Sequence, residues 1–154
     1  RHDNALELLQ EVLEFQERVL PQDHPDVAIS MHNVASTFSN LGRHDDALKL
    51  KEEVLELFKR VLPQDHPSIA TSMNNLASTF SDLGRHDDAL KLYREVLEFQ
   101  KRVLPQDHPD IAISMSNLAL TFSGLDRHDD ALKLEGEALE FQKQVLPQDH
   151  PHIA

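Results

Sequence analysis

Pro21-Gln22-Asp23-His24-Pro25 returns unchanged at Pro63, Pro105 and Pro147. Between these marks Arg1-His2-Asp3 repeats at Arg43, Arg85 and Arg127, and the spacing of both motifs is 42 residues. Self-similarity at a fixed period of about 20–50 residues signals stacked supersecondary units, because one such unit cannot bury its apolar face alone. Three full periods cover residues 1–126 and an incomplete fourth runs from 127 to 154; the second and third agree at 32 of 42 positions. Agreement this close marks recent tandem duplication or deliberate consensus construction. The chain has no initiator methionine and stops at His152-Ile153-Ala154, just after the start signal of a further unit, so it reads as a segment of a longer array. The expectation is one repeat array, residues 1–154, with units 1–42, 43–84, 85–126 and a partial unit 127–154.

Within the second period, Ala47, Leu48, Val54, Leu55, Phe58, Val61 and Leu62 recur at steps of three and four, the helical period. Asp45 to Leu62 therefore predicts one long helix, with Leu50 and Leu57 widening its apolar face towards neighbours on two sides. Asp45 and Asp46 suit the positive end of the helix dipole, and Pro63 lacks the donor needed to continue. Glu14, Glu56 and Glu98 stand four residues before Arg18, Arg60 and Arg102, the favourable order for ion pairs along a helix. A shorter helix starts at each Asp-His-Pro: Pro25 suits the first helical position, with His24 or Asp23 as cap. Val27, Ala28, Met31, Val34, Ala35, Phe38 and Leu41 give it an apolar stripe, and Gly42 and Gly84 follow where a left-handed residue closes a helix. Asp126 takes that place in the third unit, with Gly124 two positions earlier either compensating or fraying the end. The pattern predicts an all-α chain of seven helices, four long and three short, ending in a stub.

The chain has 15 Lys and Arg against 27 Asp and Glu, a formal charge of −12, and no cysteine. Disulfides, thiol catalysis and cysteine metal sites are excluded. Nucleic acid is excluded as a partner, since binding it needs Lys and Arg to neutralise phosphates, and an anionic membrane surface is excluded likewise. Acidity suits basic partners and also keeps an elongated array in solution. No run approaches the roughly 18 apolar residues of a membrane span, and no signal peptide is visible, so a cytoplasmic protein is expected.

Antiparallel helix pairs carrying Asn75-Leu76-Ala77, Phe80, Leu83-Gly84 and Asp88-Ala89-Leu90, with matching sets in the other periods, resemble the tetratricopeptide repeat. The usual unit is about 34 residues. The longer unit here, with an extended second helix and the Pro-Gln-Asp-His-Pro loop, is similar to the 42-residue repeats of kinesin light chains. The departures are the lack of tryptophan, Ala35 and Ala77 where the shorter family often has glycine, and Val54 and Val96 where alanine is usual. The resemblance implies a right-handed superhelical solenoid whose concave groove grips a peptide or protein segment.

Differences between the chain's own repeats mark candidate groove positions. In the short helices they are Ile29/Thr71/Ile113, His32/Asn74/Ser116, Ser36/Ser78/Leu120 and Asn40/Asp82/Gly124. At about 100° per residue these fall near 0°, −60°, −20° and +20°, opposite the apolar stripe. Two readings fit: an exposed face drifts because nothing constrains it, or it is the groove wall and sets what binds. Asn33, Asn75 and Asn117 sit at about +40° on the same arc and do not vary. Their amides suit holding a peptide backbone, as asparagines at the matching place do in peptide-binding tetratricopeptide domains; they equally suit a bond to the adjacent helix, and recent duplication alone would also leave them unchanged. Lysine and arginine are absent from this arc. The basic grooves of kinesin light chains and of carboxylate clamps therefore do not carry over, and a neutral, apolar or basic segment is the expected ligand.

Ten histidines raise a metal site, but His24 and His44 flank a helix and stand roughly 24 Å apart at 1.5 Å per residue. Equivalent histidines lie on the order of 10–20 Å apart across a helix pair, too far for ligands at about 2 Å from one ion. Only His150 and His152 cluster, and no metal or other cofactor is expected. No nucleophile–base set or phosphate loop is present, and nearly every residue occurs three or four times where a catalytic site is singular, so the chain is not expected to be an enzyme. A second function class follows from the ends. A first helix without a preceding partner leaves Leu6, Leu9, Val12 and Leu13 bare, and such faces drive self-association into homo-oligomers through the array ends, whereas in a longer parent array a neighbouring repeat covers them.

Overall fold

A computed structural model describes residues 2–106 and 108–145, and among these every regular element is a helix. The long helices are α1 (His2–Val19), α3 (His44–Val61), α5 (His86–Val103) and α7 (His128–Val145); the short ones are α2 (Pro25–Asn40), α4 (Pro67–Asp82) and α6 (Pro109–Gly124). The stub expected after the fourth loop, with Pro151 to Ala154, lies outside the described residues. No described helix is long and apolar enough to cross a membrane.

Each short helix starts as its sequence requires. The Nδ1 atoms of His24, His66 and His108 accept from the backbone N–H of Asp26, Ser68 and Asp110 at 3.2, 3.2 and 3.3 Å, and a proline follows each cap. The cap is the histidine, and it satisfies one of the four amides that a helix start leaves free.

The helix-to-helix turn is built by a few residues in concert. After α2, Arg43 N–H donates to Phe38 O at 2.9 Å and Gly42 N–H to Ser39 O at 3.0 Å, with Gly42 at φ 71°. This paired closure needs one left-handed residue. The Arg43 guanidinium then lies 4.4 Å over the Phe38 ring, and its Nε donates to Asp46 Oδ2 at 2.7 Å in the first turn of α3. The same set recurs after α6 with Arg127, Phe122 and Asp130, and there Asp126 takes the left-handed place at φ 57°. Gly124 does not fray the end, since α6 runs through it. A Cβ there would stand 3.0 Å from the His86 ring, so the missing side chain makes room for that ring.

The chain divides into two compact units, residues 1–83 and 84–154. In the first, α2 packs between α1 and α3, and α3 packs on α4. Leu6 and Leu13 of α1, Val27, Met31, Val34 and Phe38 of α2, and Ala47 and Val54 of α3 form one buried cluster. Burying such side chains contributes about 1.5–3 kcal/mol each. In the second unit α6 packs on α5 and α7, with Ile111, Met115, Leu118 and Phe122 buried. Ala35, Ala47, Ala77, Ala89 and Ala119 are wholly buried, and such small side chains let packed helices approach closely.

Two of the expected pairings along the long helices give way to other contacts among the described residues. Arg60 turns from Glu56 to Asp23 in the preceding loop, and Arg18 lies over the Phe15 ring at 5.5 Å. An aromatic face or a loop carboxylate within reach competes with the glutamate one turn back, whose pairing contributes only about 0.2–0.5 kcal/mol.

Candidate protein-binding face

The variable positions of the short helices all lie outside the core. Ile29, Asn40, Thr71, Ser78, Asp82, Ile113, Ser116, Leu120 and Gly124 are exposed, and His32, Ser36 and Asn74 are half-buried. The apolar members stand well out: Ile29 is 55%, Ile113 57% and Leu120 68% exposed. Ile113 and Leu120, two turns apart on α6, make the face of the second unit apolar where the first unit has Ser36 and Ser78.

Asn33 is exposed, and Asn75 and Asn117 are half-buried. Their backbone carbonyls accept from Thr37, Thr79 and Thr121 one turn on, at 3.0, 3.1 and 2.9 Å. Among the described residues their side-chain amides make no hydrogen bond, so the alternative of a bond to the adjacent helix is not what holds them. Neighbouring Asn74 differs: its Oδ1 is buried without a donor.

The expectation that this face lacks a cation is corrected in the first unit, where Lys51 of α3 reaches it from below. Its Nζ donates to Ser39 Oγ of α2 at 3.1 Å and to Thr79 Oγ1 of α4 at 2.7 Å. The Thr79 hydroxyl in turn donates to Asn75 O at 3.1 Å, so the lysine joins three helices through one chain of bonds. Burial lowers the Lys51 pKa, opposed by the Asp82 carboxylate. Burial, and then Lys51, lower that of His32. Arguing from the short helices alone missed this residue. The signal was the same internal variation, on the long helix: Leu9, Lys51, Tyr93 and Glu135 are four different residues at one place.

The end residues also need correction. Leu6 and Leu13 are not bare; they are 6% and 8% exposed in the α1–α2–α3 cluster, with Leu9 packed against it. Val12 is exposed, and it belongs to a different stripe, Leu8, Val12, Phe15 and Val19, whose members are 48–63% exposed. Position by position, the same stripe in α3 is Leu50, Val54, Leu57 and Val61, and there Val54 is buried against α2. The long helix has two apolar flanks, and the uncovered one is the flank that a preceding short helix covers elsewhere. On α7, among the described residues, Leu132 and Leu139 are uncovered. His150 and His152, the one clustered histidine pair, lie outside the described residues.

A tetratricopeptide repeat model matches residues 1–60, 31–102 and 68–144. No curated protein matches the sequence. Among solved structures, a protein of Podosopora anserina named as a kinesin light chain, with nearly identical TPR-like repeats, is 27% identical, with 99% of this chain and 72% of that chain covered at a TM-score of 0.88. BtubC (BKLC) from P. vanneervenii is 19% identical over 97% of this chain and 61% of its own, with a TM-score of 0.84. Aspartyl phosphate phosphatase F from Bacillus subtilis is 12% identical over 91% of this chain and 35% of its own, with a TM-score of 0.74. The last two share the fold alone, which hosts more than one activity.

Proposed function

The chain belongs to the tetratricopeptide repeat family, whose repeats serve as protein-interaction scaffolds, and we propose that it binds a partner's peptide segment through the asparagine-bearing faces of its short helices, with Asn33 and Asn75 on α2 and α4 of the first unit and Asn117 on α6 of the second. The observation that carries this reading is that the three amides repeat without change and, among the described residues, make no side-chain hydrogen bond. A side chain kept without an internal partner suits contact with an external backbone, to which an amide offers two donors and an acceptor. The varying residues around it supply selectivity. Those of α6, Ile113 and Leu120, favour an apolar stretch in the ligand, while His32, Ser36 and Lys51 set a polar environment on α2 and α3. No catalytic step enters this reading.

The test is a randomised 15-residue peptide library displayed on phage, followed by titration of the selected peptides. Asn33→Ala, Asn75→Ala and Asn117→Ala combined are expected to weaken binding at least tenfold with the melting temperature unchanged, because no internal bond is lost. Selected peptides that bind the triple variant equally well sink the reading.

A second reading, self-association through the ends, is favoured by the uncovered stripe on α1 and by Leu132 and Leu139 on α7. Exposed apolar patches of this kind mark interaction sites.

A further inference from the structure

The first unit carries a trough between α1 and α3, floored by α2, on the apolar-stripe side of α2 and so away from the asparagine face. It consists of two adjoining cavities of about 600 and 300 Å³ that share Glu17 and Glu53 on opposite walls. Its floor is apolar, with Met31, Phe38 and Leu57 among the lining residues. Its walls carry Glu14 and Glu17 from α1 and Glu53 and Glu56 from α3, and among the described residues no ion pair engages any of these four. Of the two cations in the lining, Arg60 is taken by Asp23, which leaves Lys49.

The imbalance traces to one position. Lys59, Lys101 and Lys143 hold the place in α3, α5 and α7 that Glu17 holds in α1. Glu17 therefore faces Glu53 and Glu56 where the repeat pattern would have set a lysine against them. Like charges across an apolar cleft repel, and a cation placed between them relieves the repulsion without any rearrangement of the walls. The lining of α3 runs from Asp46 to Arg60, about 21 Å at 1.5 Å per residue, which is roughly four turns of a bound helix.

We infer that this trough is a second docking surface, separate from the asparagine face, and that its occupant is a basic amphipathic helix of a partner protein. Apolar side chains at helical spacing meet the narrow exposed edges of Met31, Phe38 and Leu57, which are 8%, 6% and 5% exposed, and the charges on the walls supply most of the attraction. Lysines or arginines on the flanks of the bound helix meet Glu14 and Glu17 on one side and Glu53 and Glu56 on the other.

The probe is a fluorescein-labelled 18-residue peptide of leucine and lysine at helical spacing, with a leucine–glutamate peptide of the same pattern beside it, titrated into the full chain and read by anisotropy. Glu17→Lys with Glu53→Lys is the test variant. The first substitution installs the residue that the other three long helices already carry, and circular dichroism checks the fold of both. Glu11→Lys with Glu137→Lys makes the same change of charge outside the trough lining and away from the asparagine face. The expected result is binding of the lysine peptide alone, weakened at least tenfold by the trough variant, less than threefold by the control, and not at all by the triple asparagine variant. Equal weakening by trough and control variants means general attraction to an acidic chain and overturns the inference, as does absence of binding. Loss of binding in the asparagine variant would place the peptide on the other face, which overturns this inference while supporting the first reading.

Discussion

Asp126 stands where the two preceding units have Gly42 and Gly84, and all three hold a left-handed backbone, at φ 57°, 71° and 70°. That conformation costs a residue with a Cβ about 1–2 kcal/mol, less for aspartate than for most. A Cβ at Gly42 would meet nothing within 4 Å, so the loss on Gly42→Ala is one of backbone alone. Thermal unfolding is expected to show Gly42→Ala less stable by about 1–2 kcal/mol and Asp126→Gly more stable by about 1 kcal/mol. His32 supports a prediction of a different kind. Its pKa lies below the ordinary 6.5, through burial first and the Lys51 ammonium second. The unfolded chain then binds a proton that the folded chain resists. Stability is full above the ordinary value, falls as pH drops through it, and stops falling once the folded-state value is passed. His32→Asn, the residue of the next repeat at Asn74, is expected to flatten that part of a stability–pH curve. Lys51→Met, which removes only the lesser cause, is expected to move the His32 titration, followed by NMR, part of the way back to 6.5. A full return would mean that burial is not the leading cause.

At the scale of the element, the three short helices share a cap that ordinary preference ranks below serine or aspartate. His66 N-caps α4 through a 3.2 Å bond from Ser68 N–H. His66→Ala is expected to cost about 1 kcal/mol in chemical denaturation, and His66→Ser to cost less than His66→Ala because its hydroxyl can accept the same bond. An alanine variant as stable as the parent would show that the cap contributes nothing. Most of this layer was legible in the sequence, because proline, glycine and the apolar period act locally: the Asp-His-Pro starts, the left-handed closures at Gly42, Gly84 and Asp126, and the buried stripe of Val27, Met31, Val34 and Phe38 all stand where the pattern puts them. Two things were not legible. Arg60 chose Asp23 in a loop 37 residues back over Glu56 one turn away, a tertiary choice that the periodicity of one helix does not contain. The flank of α1 that stays bare was also hidden, because Leu6 and Leu13 on one flank and Leu8 and Phe15 on the other are equally apolar. Only the neighbour that covers each one distinguishes them.

At the scale of the molecule, an array of repeats is held by contacts between neighbours, so an end element keeps an apolar flank that the same element covers in the interior. Lys51 shows why site positions were harder to read than the fold. The asparagine face is assembled from two kinds of helix, and a side chain from the long kind enters it only once α2 and α4 have packed on α3. The ends make the converse case, where packing leaves something out. Leu8, Val12, Phe15 and Val19 follow one another at helical steps and are all about half-exposed or more, and Leu132 and Leu139 lie bare on α7. Contact between unlike ends need not close into a ring, so association through them would give a mass that keeps rising with concentration instead of stopping at a dimer. Light scattering coupled to size-exclusion chromatography over a hundredfold range of concentration reads this directly. If the ends are adhesive, the mass rises, and Val12→Glu with Phe15→Glu returns it to that of the monomer, since two carboxylates cannot be buried there without a partner. The triple asparagine variant would leave the rise unchanged. A constant monomer mass across the range excludes self-association through the ends and leaves the function to the binding of a different protein.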